Sequence, residues 1–392
     1  MSRRLILYED RQWRALRPLT DLLPVPALAF GASDLARRWL RAAGTPLLAI
    51  EARAAALACW HAPPPPDPGA VDPGDEVLAI NTAALPGVWL PAALAQRAPA
   101  LYVGEGRVAG ARLPLARIRA GLGRGEDFET VLLGAGLPAV PVAAEFLTHA
   151  WELIERNPAA LAADLADAPM GVRGEVHRLA CLEAPERIAI EPGARVGPFA
   201  VLDARPGPIR LAAGAQVAAH TVVTGPCALG PGTQLLGGAV SACTFGPECR
   251  IAGEVEASVW QGYANKRHHG FVGHSAVGEW VNLGALTTTS DLKNNYGSVR
   301  VWVDGRERDS GVRKLGAIVG AHVKTGIGTL LPTGASVGTG ANLFGGGRFA
   351  PRAAPAFAWW DGARAGEHEL ERFLATARTA MARRGRALAP GE

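Results

Sequence analysis

Three histidines lie within seven residues of one another, at His268, His269 and His274. Because the imidazole pKa lies near neutrality, a histidine in this segment could act as the general base of a group-transfer reaction. The surrounding segment, 266–296, also has apolar residues six positions apart, at Phe271, Val277 and Leu283. A candidate reaction centre therefore coincides with a structural repeat.

The six-residue period extends through most of the second half of the chain. Its apolar or Thr positions are Ile190, Val196, Leu202, Leu211, Val217, Val223, Leu229, Leu235, Phe245, Ile251, Thr289, Val319, Thr325, Leu331, Val337 and Leu343, besides the three above. Such hexads predict a parallel β-helix of triangular section, with three hexads to a coil and the periodic residue pointing inward. We assign residues 188–350 to this β-helix.

Two segments depart from the repeat. Residues 290–314 follow the histidines directly and predict a hairpin with Asp304-Gly305 in a type I′ turn. We expect this excursion to form a wall of the cleft. Residues 351–392 form a tail with a predicted helix from Glu367 to Arg384, whose terminal arginines suit the helix dipole. We expect this helix to cover the last coil or to pack on a neighbouring subunit.

The first 152 residues alternate between strand-like and helix-like segments, which predicts an α/β layer domain. The main predicted elements are strands at Leu5–Tyr8, Leu47–Ile50 and Val77–Ile80, a helix capped by Ser33-Asp34, and a hairpin over 99–113. Residues 63–75 are rich in Pro, Gly and Asp and predict an exposed loop. A helical pattern begins at Glu145 and is broken at Asn157-Pro158, and we assign 153–187 to a helical linker.

Composition limits the partners and the compartment. The net charge of +4 is small for 392 residues and does not indicate nucleic-acid binding. The five cysteines form no CxxC motif, which favours the reducing cytoplasm. No run of about 18 apolar residues is present, and the first residues lack a signal-peptide core. We expect a cytoplasmic protein without a nucleic-acid or membrane partner.

Two motifs in the second half point to a known family. They are H-H-G-F-V-G-H-S-A-V-G-E-W-V-N-L-G-A and G-V-R-K-L-G-A-I-V-G-A-H-V-K-T-G-I-G-T-L-L-P-T-G. This half resembles the acetyltransferase domain of bifunctional N-acetylglucosamine-1-phosphate uridylyltransferase/glucosamine-1-phosphate acetyltransferases. The whole chain is similar to the sugar nucleotidyltransferase subfamily through L-Y-E-D, R-P-L-T, W-E-L-I-E-R-N-P, Q-G-Y-A-N-K, T-S-D-L-K-N-N-Y and N-L-F-G-G-G. The resemblance implies a left-handed β-helix behind a nucleotidyltransferase-like domain.

The resemblance also implies roles for individual residues. His268 takes the place of the family's catalytic histidine, which acts as a general base on the sugar amine. Asn282 corresponds to an active-site asparagine, and Glu254 to a glutamate that supports the histidine. Acetyl-CoA would lie along the coil, where the backbone around Gly284 and Ala285 could stabilise the oxyanion. Its phosphates would meet basic residues of the next turns, for which the candidates are Lys293, Arg313, Lys314 and Lys324.

The acceptor side departs from the family pattern. Phe271 replaces a tyrosine and Asp291 an asparagine, and both remain candidate substrate-binding residues together with Tyr296. Glu256 replaces a phosphate-holding lysine, and the family's phosphate-binding arginine falls near Gly238. The amino-terminal half lacks the G-x-G-T-R-M loop whose backbone cradles phosphates. We therefore expect a degenerate nucleotidyltransferase domain, with Mg²⁺ as a cofactor only if nucleotidyl transfer persists.

The favoured hypothesis is a homotrimeric transferase of sugar-nucleotide metabolism in cell-envelope biosynthesis, which N-acetylates an amino-sugar 1-phosphate with acetyl-CoA. Three alternatives remain open. The chain could be an active sugar-1-phosphate nucleotidyltransferase, or a non-catalytic scaffold that binds a sugar nucleotide. It could also resemble the β-helical carbonic anhydrases, with zinc bound by His269, His274 and either His220 or His322.

Overall fold

The computed structural model describes residues 3–60, 75–166 and 168–388. The loop predicted at 63–75 therefore lies outside the described residues, apart from Asp75. Among the helices in these ranges, none has both the length and the apolar character needed to cross a membrane.

The amino-terminal domain is built on a six-stranded sheet with the strand order β4-β1-β5-β7-β6-β8. Its strands are β1 (Arg3–Tyr8), β2 (Ala29–Phe30), β3 (Ser33–Asp34), β4 (Leu47–Glu51), β5 (Glu76–Asn81), β6 (Ala100–Gly104), β7 (Arg107–Pro114) and β8 (Ala139–Pro141). Its helices are the 3₁₀ turns Arg11–Leu16 and Val25–Ala27, with α1 (Leu35–Ala43), α2 (Ala54–Cys59), α3 (Leu90–Ala95), α4 (Leu115–Gly123), α5 (Phe128–Leu133), α6 (Glu152–Glu155) and α7 (Asn157–Ala166).

Alternation along β1 explains the layers of this domain. Leu5 and Leu7 face one apolar cluster with Trp39, whereas Ile6 and Tyr8 face a second cluster on the other side of the sheet. Because both faces are covered, the central strands are apolar throughout. The predicted α/β layers and the 99–113 hairpin are confirmed. The predicted cap is also found, since Asp34 accepts a hydrogen bond from the amide of Arg37.

The helical pattern predicted from Glu145 starts later than expected. Glu145 and Leu147 form backbone hydrogen bonds with the segment 83–85, so the chain stays extended until α6 begins at Glu152. Pro158 is the second residue of α7, where its missing N–H costs no helical hydrogen bond. The Asn157-Pro158 pair therefore starts a new helix.

The second half is a parallel β-solenoid of about 11 turns, from residue 171 to residue 360, which confirms the predicted β-helix. Its strands are β9 (Gly171–Val172), β10 (Glu175–Val176), β11 (Cys181–Glu183), β12 (Ile188–Ile190), β13 (Arg195–Val196), β14 (Val201–Asp203), β15 (Ile209–Leu211), β16 (Gln216–Val217), β17 (Thr221–Thr224), β18 (Cys227–Leu229), β19 (Gln234–Ser241), β20 (Thr244–Phe245), β21 (Arg250–Glu256), β22 (Val259–Trp260), β23 (Asn265–Lys266), β24 (Phe271–Gly273), β25 (Ala276–Val277), β26 (Thr288–Thr289), β27 (Arg300–Val303), β28 (Arg306–Asp309), β29 (Ala317–Val319), β30 (Lys324–Thr325), β31 (Leu330–Leu331), β32 (Ala335–Val337), β33 (Asn342–Leu343), β34 (Ala353–Ala354), β35 (Ala358–Trp360) and β36 (Ala365–Glu367).

The solenoid is longer at both ends than the segment 188–350. Its first strands lie inside 153–187, where α-helix is found only up to Ala166 and a short 3₁₀ helix follows at Pro185–Arg187. The reason is that Val176 and Leu182 continue the six-residue period backward from Ile188 and pack against the same core. At the other end, Trp360 closes the core in the last coil, within the predicted tail.

The excursion at 290–314 contains the predicted hairpin, formed by β27 and β28. Asp304 and Gly305 both have positive φ, 47° and 74°, as a type I′ turn requires. Val299, Val301 and Val303 pack into an apolar cluster with residues of the amino-terminal domain. These valines therefore serve the contact between the two domains, a role that the cleft-wall interpretation did not include.

The tail contains α8 (Leu370–Ala382), close to its predicted bounds. β36 pairs antiparallel with β35, so the chain reverses after the last coil and α8 runs back along the solenoid. Phe373, near the start of α8, packs edge-on against Phe357 and His322. Met381, near its end, packs against Tyr263 and Trp280 of earlier coils. The helix therefore packs on the last coil through Phe373, in line with the expected cover, and it extends over the side of earlier coils as well.

Candidate functional site

His268 lies in the turn between β23 and β24, and its side chain is exposed. The imidazole makes no hydrogen bond within the described part of the chain. The His268 carbonyl, in contrast, accepts a 2.9 Å hydrogen bond from Nζ of Lys266, which also donates to the Ala252 carbonyl at 2.8 Å. Lys266 thereby ties the His268 turn to the coil below and leaves the imidazole free.

Lys266 occupies a position that the repeat reserves for an apolar residue. It pairs with Ile251 across the ladder and is 1% exposed. Burial lowers the pKa of its ammonium group to about 8. The two carbonyl acceptors compensate part of the desolvation cost.

We predict that Lys266 makes stability rise with pH above about 8. Between that pKa and the ordinary value of 10.5 the folded state has lost the proton and the unfolded state keeps it. Stability rises with pH wherever the unfolded state binds more protons, by about 1–3 kcal/mol here. Urea unfolding from pH 7 to pH 10 measures this change. Lys266→Met should reduce the rise to the part that Lys324 contributes, because the pKa of Lys324 is also lowered to about 8, and Lys314→Met, at a half-exposed lysine, should leave the rise unchanged. Equal slopes in the wild type and Lys266→Met would contradict the prediction.

Glu254 does not contact His268 in this chain. It lies on β21 opposite Phe271, three residues beyond the histidine, and its exposed carboxylate has no ion pair or hydrogen bond among the described residues. The expected support of His268 by Glu254 is therefore not formed within a single chain.

Asn282 belongs to a polar column on the outer face of the coils. Its Oδ1 accepts a 2.6 Å hydrogen bond from Nδ2 of Asn265, and its backbone bridges to Asn265 on one side and Lys324 on the other. Lys324 donates a 2.6 Å hydrogen bond to the Trp280 carbonyl, and burial lowers its pKa to about 8. Asn282 and Lys324, predicted from different arguments, are thus brought together.

The proposed oxyanion donors are not equivalent. The Gly284 amide already donates to the carbonyl and to Oγ1 of Thr325, at 3.1 and 3.0 Å. The Ala285 amide donates to no backbone carbonyl in the described ranges. Ala285 is therefore the better candidate, because an oxyanion donor must be free to meet the developing charge.

Phe271 and Asp291 meet at another corner of the same coil. A Cβ built at Gly273 would collide with both the Phe271 ring and the Asp291 carboxylate, so the two side chains lie close together. Nδ1 of His274 lies 2.8 Å from Oδ2 of Asp291, and this hydrogen bond lowers the pKa of Asp291. An Asp-oriented imidazole is therefore present at His274, which the sequence connected only with a metal site.

The remaining predicted ligands belong to the excursion and lie away from Asn282. Lys293 donates a 3.0 Å hydrogen bond to the Ser298 carbonyl, and Tyr296 is 68% exposed at a positive φ of 55°. Lys314 lies 3.8 Å from the Glu256 carboxylate. The expected grouping of Lys293 with Lys324 is therefore not observed.

The histidines of the zinc hypothesis are separated in this chain. His269 and His274 lie on either side of β24, and His220 stacks on Phe199. His322 is buried beside Trp280, and burial lowers its pKa to about 3. Within 3–60, 75–166 and 168–388, no three His, Cys, Asp or Glu side chains converge in a way that could hold a metal ion.

The carboxyl end of β1 is closed by two buried ion pairs. Glu9 contacts Arg53 at 2.7 Å, and Asp10 contacts Arg107 at 2.7 Å. Asp10 also accepts a 2.9 Å hydrogen bond from Asn81. This is the place in the sheet where the missing Gly-rich loop would follow, and side chains of the domain itself fill it.

A cavity of about 580 Å³ lies between α8 and the polar column of Asn282. Its basic residues are Arg250, Arg267, Lys324, Arg383 and Arg384. Sequence reasoning missed most of this set, since it assigned the arginines at the end of α8 only to the helix dipole. The available signal was the Arg383-Arg384 pair at the end of an amphipathic helix, but no local pattern indicated which surface it would face.

Comparison with known proteins agrees with this architecture. Residues 5–168 match the sugar nucleotidyl transferase family. Over 93 residues the chain is 39% identical to a bifunctional sugar-1-phosphate nucleotidylyltransferase/acetyltransferase from Sulfurisphaera tokodaii, covering 24% of this chain and 23% of that protein. Over 86 residues it is 38% identical to the bifunctional protein GlmU of Methanocaldococcus jannaschii, covering 22% of this chain and 21% of that protein.

The matched region covers less than a quarter of the full length of either relative. The resemblance drawn from the motifs is nevertheless confirmed by the family match and by the bifunctional relatives. Residues 5–168 of this chain match the sugar nucleotidyl transferase family and are followed by a parallel β-solenoid, and the chain is similar over part of its length to bifunctional nucleotidyltransferase/acetyltransferases.

Proposed function

We propose that the solenoid is an acyltransferase that N-acetylates an amino-sugar 1-phosphate with acetyl-CoA as the donor. The observation that supports this most directly is the state of His268. Its imidazole is exposed and unpartnered, while Lys266 holds its backbone in place at 2.9 Å. A general base needs a fixed position and a free nitrogen, and the anchored backbone and the unpartnered imidazole of His268 support this role.

In the proposed reaction the sugar amine attacks the thioester carbonyl of acetyl-CoA. A C–N bond forms, the C–S bond breaks, and the amine proton passes to His268 and then to the leaving thiolate. The free amide of Ala285 would donate to the oxyanion, and Asn282 would orient the amine. These groups lie on consecutive coils, whose rigidity suits a reaction that depends on positioning.

The amino-terminal domain is proposed to have lost nucleotidyl transfer. Two features support this: no Gly-rich loop follows β1, and the ion pairs of Glu9 and Asp10 fill the end of that strand. Mg²⁺ would be a cofactor only if nucleotidyl transfer persists, since the carboxylates here already hold arginines.

A homotrimer is proposed as the active form. No hydrogen bond joins Glu254 to His268 among the described residues, so a residue of a neighbouring subunit would complete the site. Leu286 and Ile327, which are 57% and 72% exposed, lie in the turns that follow His269 on the next coils and offer an apolar surface for that neighbour. The five cysteines form no disulfide, which suits the reducing cytoplasm that we propose as the compartment.

The test is thiol release from acetyl-CoA with a panel of amino-sugar 1-phosphates. We expect turnover with at least one acceptor, at about 1–1,000 s⁻¹ as is typical of enzymes. The controls are the same sugars without the amine and the same amines without the phosphate. Absence of thiol release with every acceptor would overturn the proposal, and light scattering that shows a stable monomer would overturn the trimer.

A further inference from the structure

The cavity under α8 is lined by an unusual set of charges. Five basic side chains line it, two from the end of α8 and three from the coils, and no acidic side chain does. Arg250 forms an ion pair with the Glu248 carboxylate at 2.9 Å. Arg267, Arg383 and Arg384 form no ion pair with any carboxylate in the described ranges. The cavity therefore has more positive charge than its own chain balances.

Arg384 is the clearest case. It is partly buried, and both burial and the nearby Arg250 lower its pKa. Like charges held together away from bulk water repel one another, and such an arrangement costs free energy unless an anion joins it. The two arginines come from positions far apart in the chain, so the fold itself brings them together.

Neutral donors complete the lining. Trp280 is 4% exposed, and its Nε1 has no acceptor among the described residues. A buried indole N–H without a partner is uncommon and indicates a missing acceptor. Asn265 and Asn282 lie beside it. Each side-chain amide has four hydrogen-bonding positions, and their mutual hydrogen bond uses one on each residue.

The position of α8 is specific rather than incidental. Met381 packs against the stacked rings of Tyr263 and Trp280, and Arg386 donates a 3.0 Å hydrogen bond to the Tyr263 hydroxyl. These contacts lie on either side of Arg383 and Arg384 along the chain. They hold both arginines over the coils even when the cavity has no ligand.

We propose that this cavity binds a ligand that bears a diphosphate or two phosphate groups. Guanidinium groups bind phosphate oxygens in pairs, and Arg267, Arg383 and Arg384 offer three guanidinium groups that have no carboxylate partner among the described residues. A volume of about 580 Å³ is ample for a diphosphate with part of its attached sugar or nucleoside. The site goes beyond the proposed acyl transfer, because these cations would bind the ligand whether or not His268 acts on it.

Two ligand classes offer this chemistry, coenzyme A and a sugar nucleotide. Calorimetric titration of the full chain with inorganic pyrophosphate, coenzyme A and a nucleoside diphosphate sugar distinguishes them. Arg384→Ala should weaken binding of pyrophosphate and of the preferred ligand at least 10-fold. Arg378→Ala removes an exposed arginine of the same helix that does not line the cavity, and should leave affinity within twofold.

Tighter binding of coenzyme A than of pyrophosphate would assign the cavity to the donor, and tighter binding of the sugar nucleotide would assign it to a nucleotide. Either result supports the site. Equal affinities for Arg384→Ala and Arg378→Ala, or no binding of any of the three anions at millimolar concentration, would overturn it. Circular dichroism of each variant checks that α8 is intact. If the wild-type protein binds these anions but catalyses no acyl transfer, the proposed function is refuted and the anion site stands.

Discussion

Replacing His268 by alanine is expected to lower kcat for acyl transfer by about 100- to 10,000-fold, the usual contribution of a general base. KM for acetyl-CoA should change little, because the imidazole would act on the amine and not on the donor. The structural cost should be small. The side chain is exposed and unpartnered, and the clamp from Lys266 uses only the His268 carbonyl.

Two neighbouring histidines provide matched controls for this experiment. His269→Ala changes an exposed residue of the same turn and should leave kcat within a few-fold. His274→Ala removes the partner of Asp291, so it should affect acceptor KM or stability more than kcat. Rescue of His268→Ala by added imidazole would support the role of base. A loss of kcat for His274→Ala larger than that for His268→Ala would contradict the assignment and make the His274–Asp291 pair the base.

Replacing Asp10 by alanine is expected to lower the free energy of unfolding by about 3–5 kcal/mol. The carboxylate side chain is 2% exposed, and Arg107, its partner at 2.7 Å, is 10% exposed. Without Asp10 the guanidinium would remain charged in a nearly dry site, and Asn81 would lose an acceptor at 2.9 Å. Urea unfolding at neutral pH measures the change.

Glu126→Ala is the control for Asp10→Ala, because its ion pair with Arg124 is solvent-exposed. An exposed pair contributes about 0–1 kcal/mol, so this variant should unfold close to the wild type. A loss below about 1 kcal/mol for Asp10→Ala would mean that the end of β1 is open to water. The proposal that internal ion pairs have replaced the phosphate-cradling loop would then fail.

The two predictions concern different halves of the chain. If both hold, the ion pairs of Glu9 and Asp10 stabilise the amino-terminal domain at the end of β1. The chemistry is then confined to the solenoid, where the unpaired His268 and the cationic cavity lie. Asn282 connects the two features, because it follows the His268 turn by one coil and also lines the cavity.

Local patterns in the sequence were sufficient for most of the architecture. The six-residue period placed residues such as Val217, Leu235 and Leu283 in the solenoid core, and all three are buried there. Each coil packs mainly on its neighbours, so a short repeat contains most of the information. The hairpin turn at Asp304-Gly305 and the bounds of α8 were also predictable, because turn residues and helix ends are local features of the sequence. The burial of Lys266 was not predictable from local patterns. Its ammonium group is held by the carbonyls of Ala252 and His268, and the folded coils bring these carbonyls within reach.

Only the tertiary structure decided where the charges meet. The helix α8 was recognisable, but its direction along the solenoid depends on the aromatic residues of coils about a hundred residues earlier. That contact brings Arg384 to Arg250 and creates the cavity. The excursion likewise contributes its valines to the domain contact. The sequence alone determined the coils and the residues available for chemistry, and long-range packing determined which of them share a site, because such contacts leave no local periodicity.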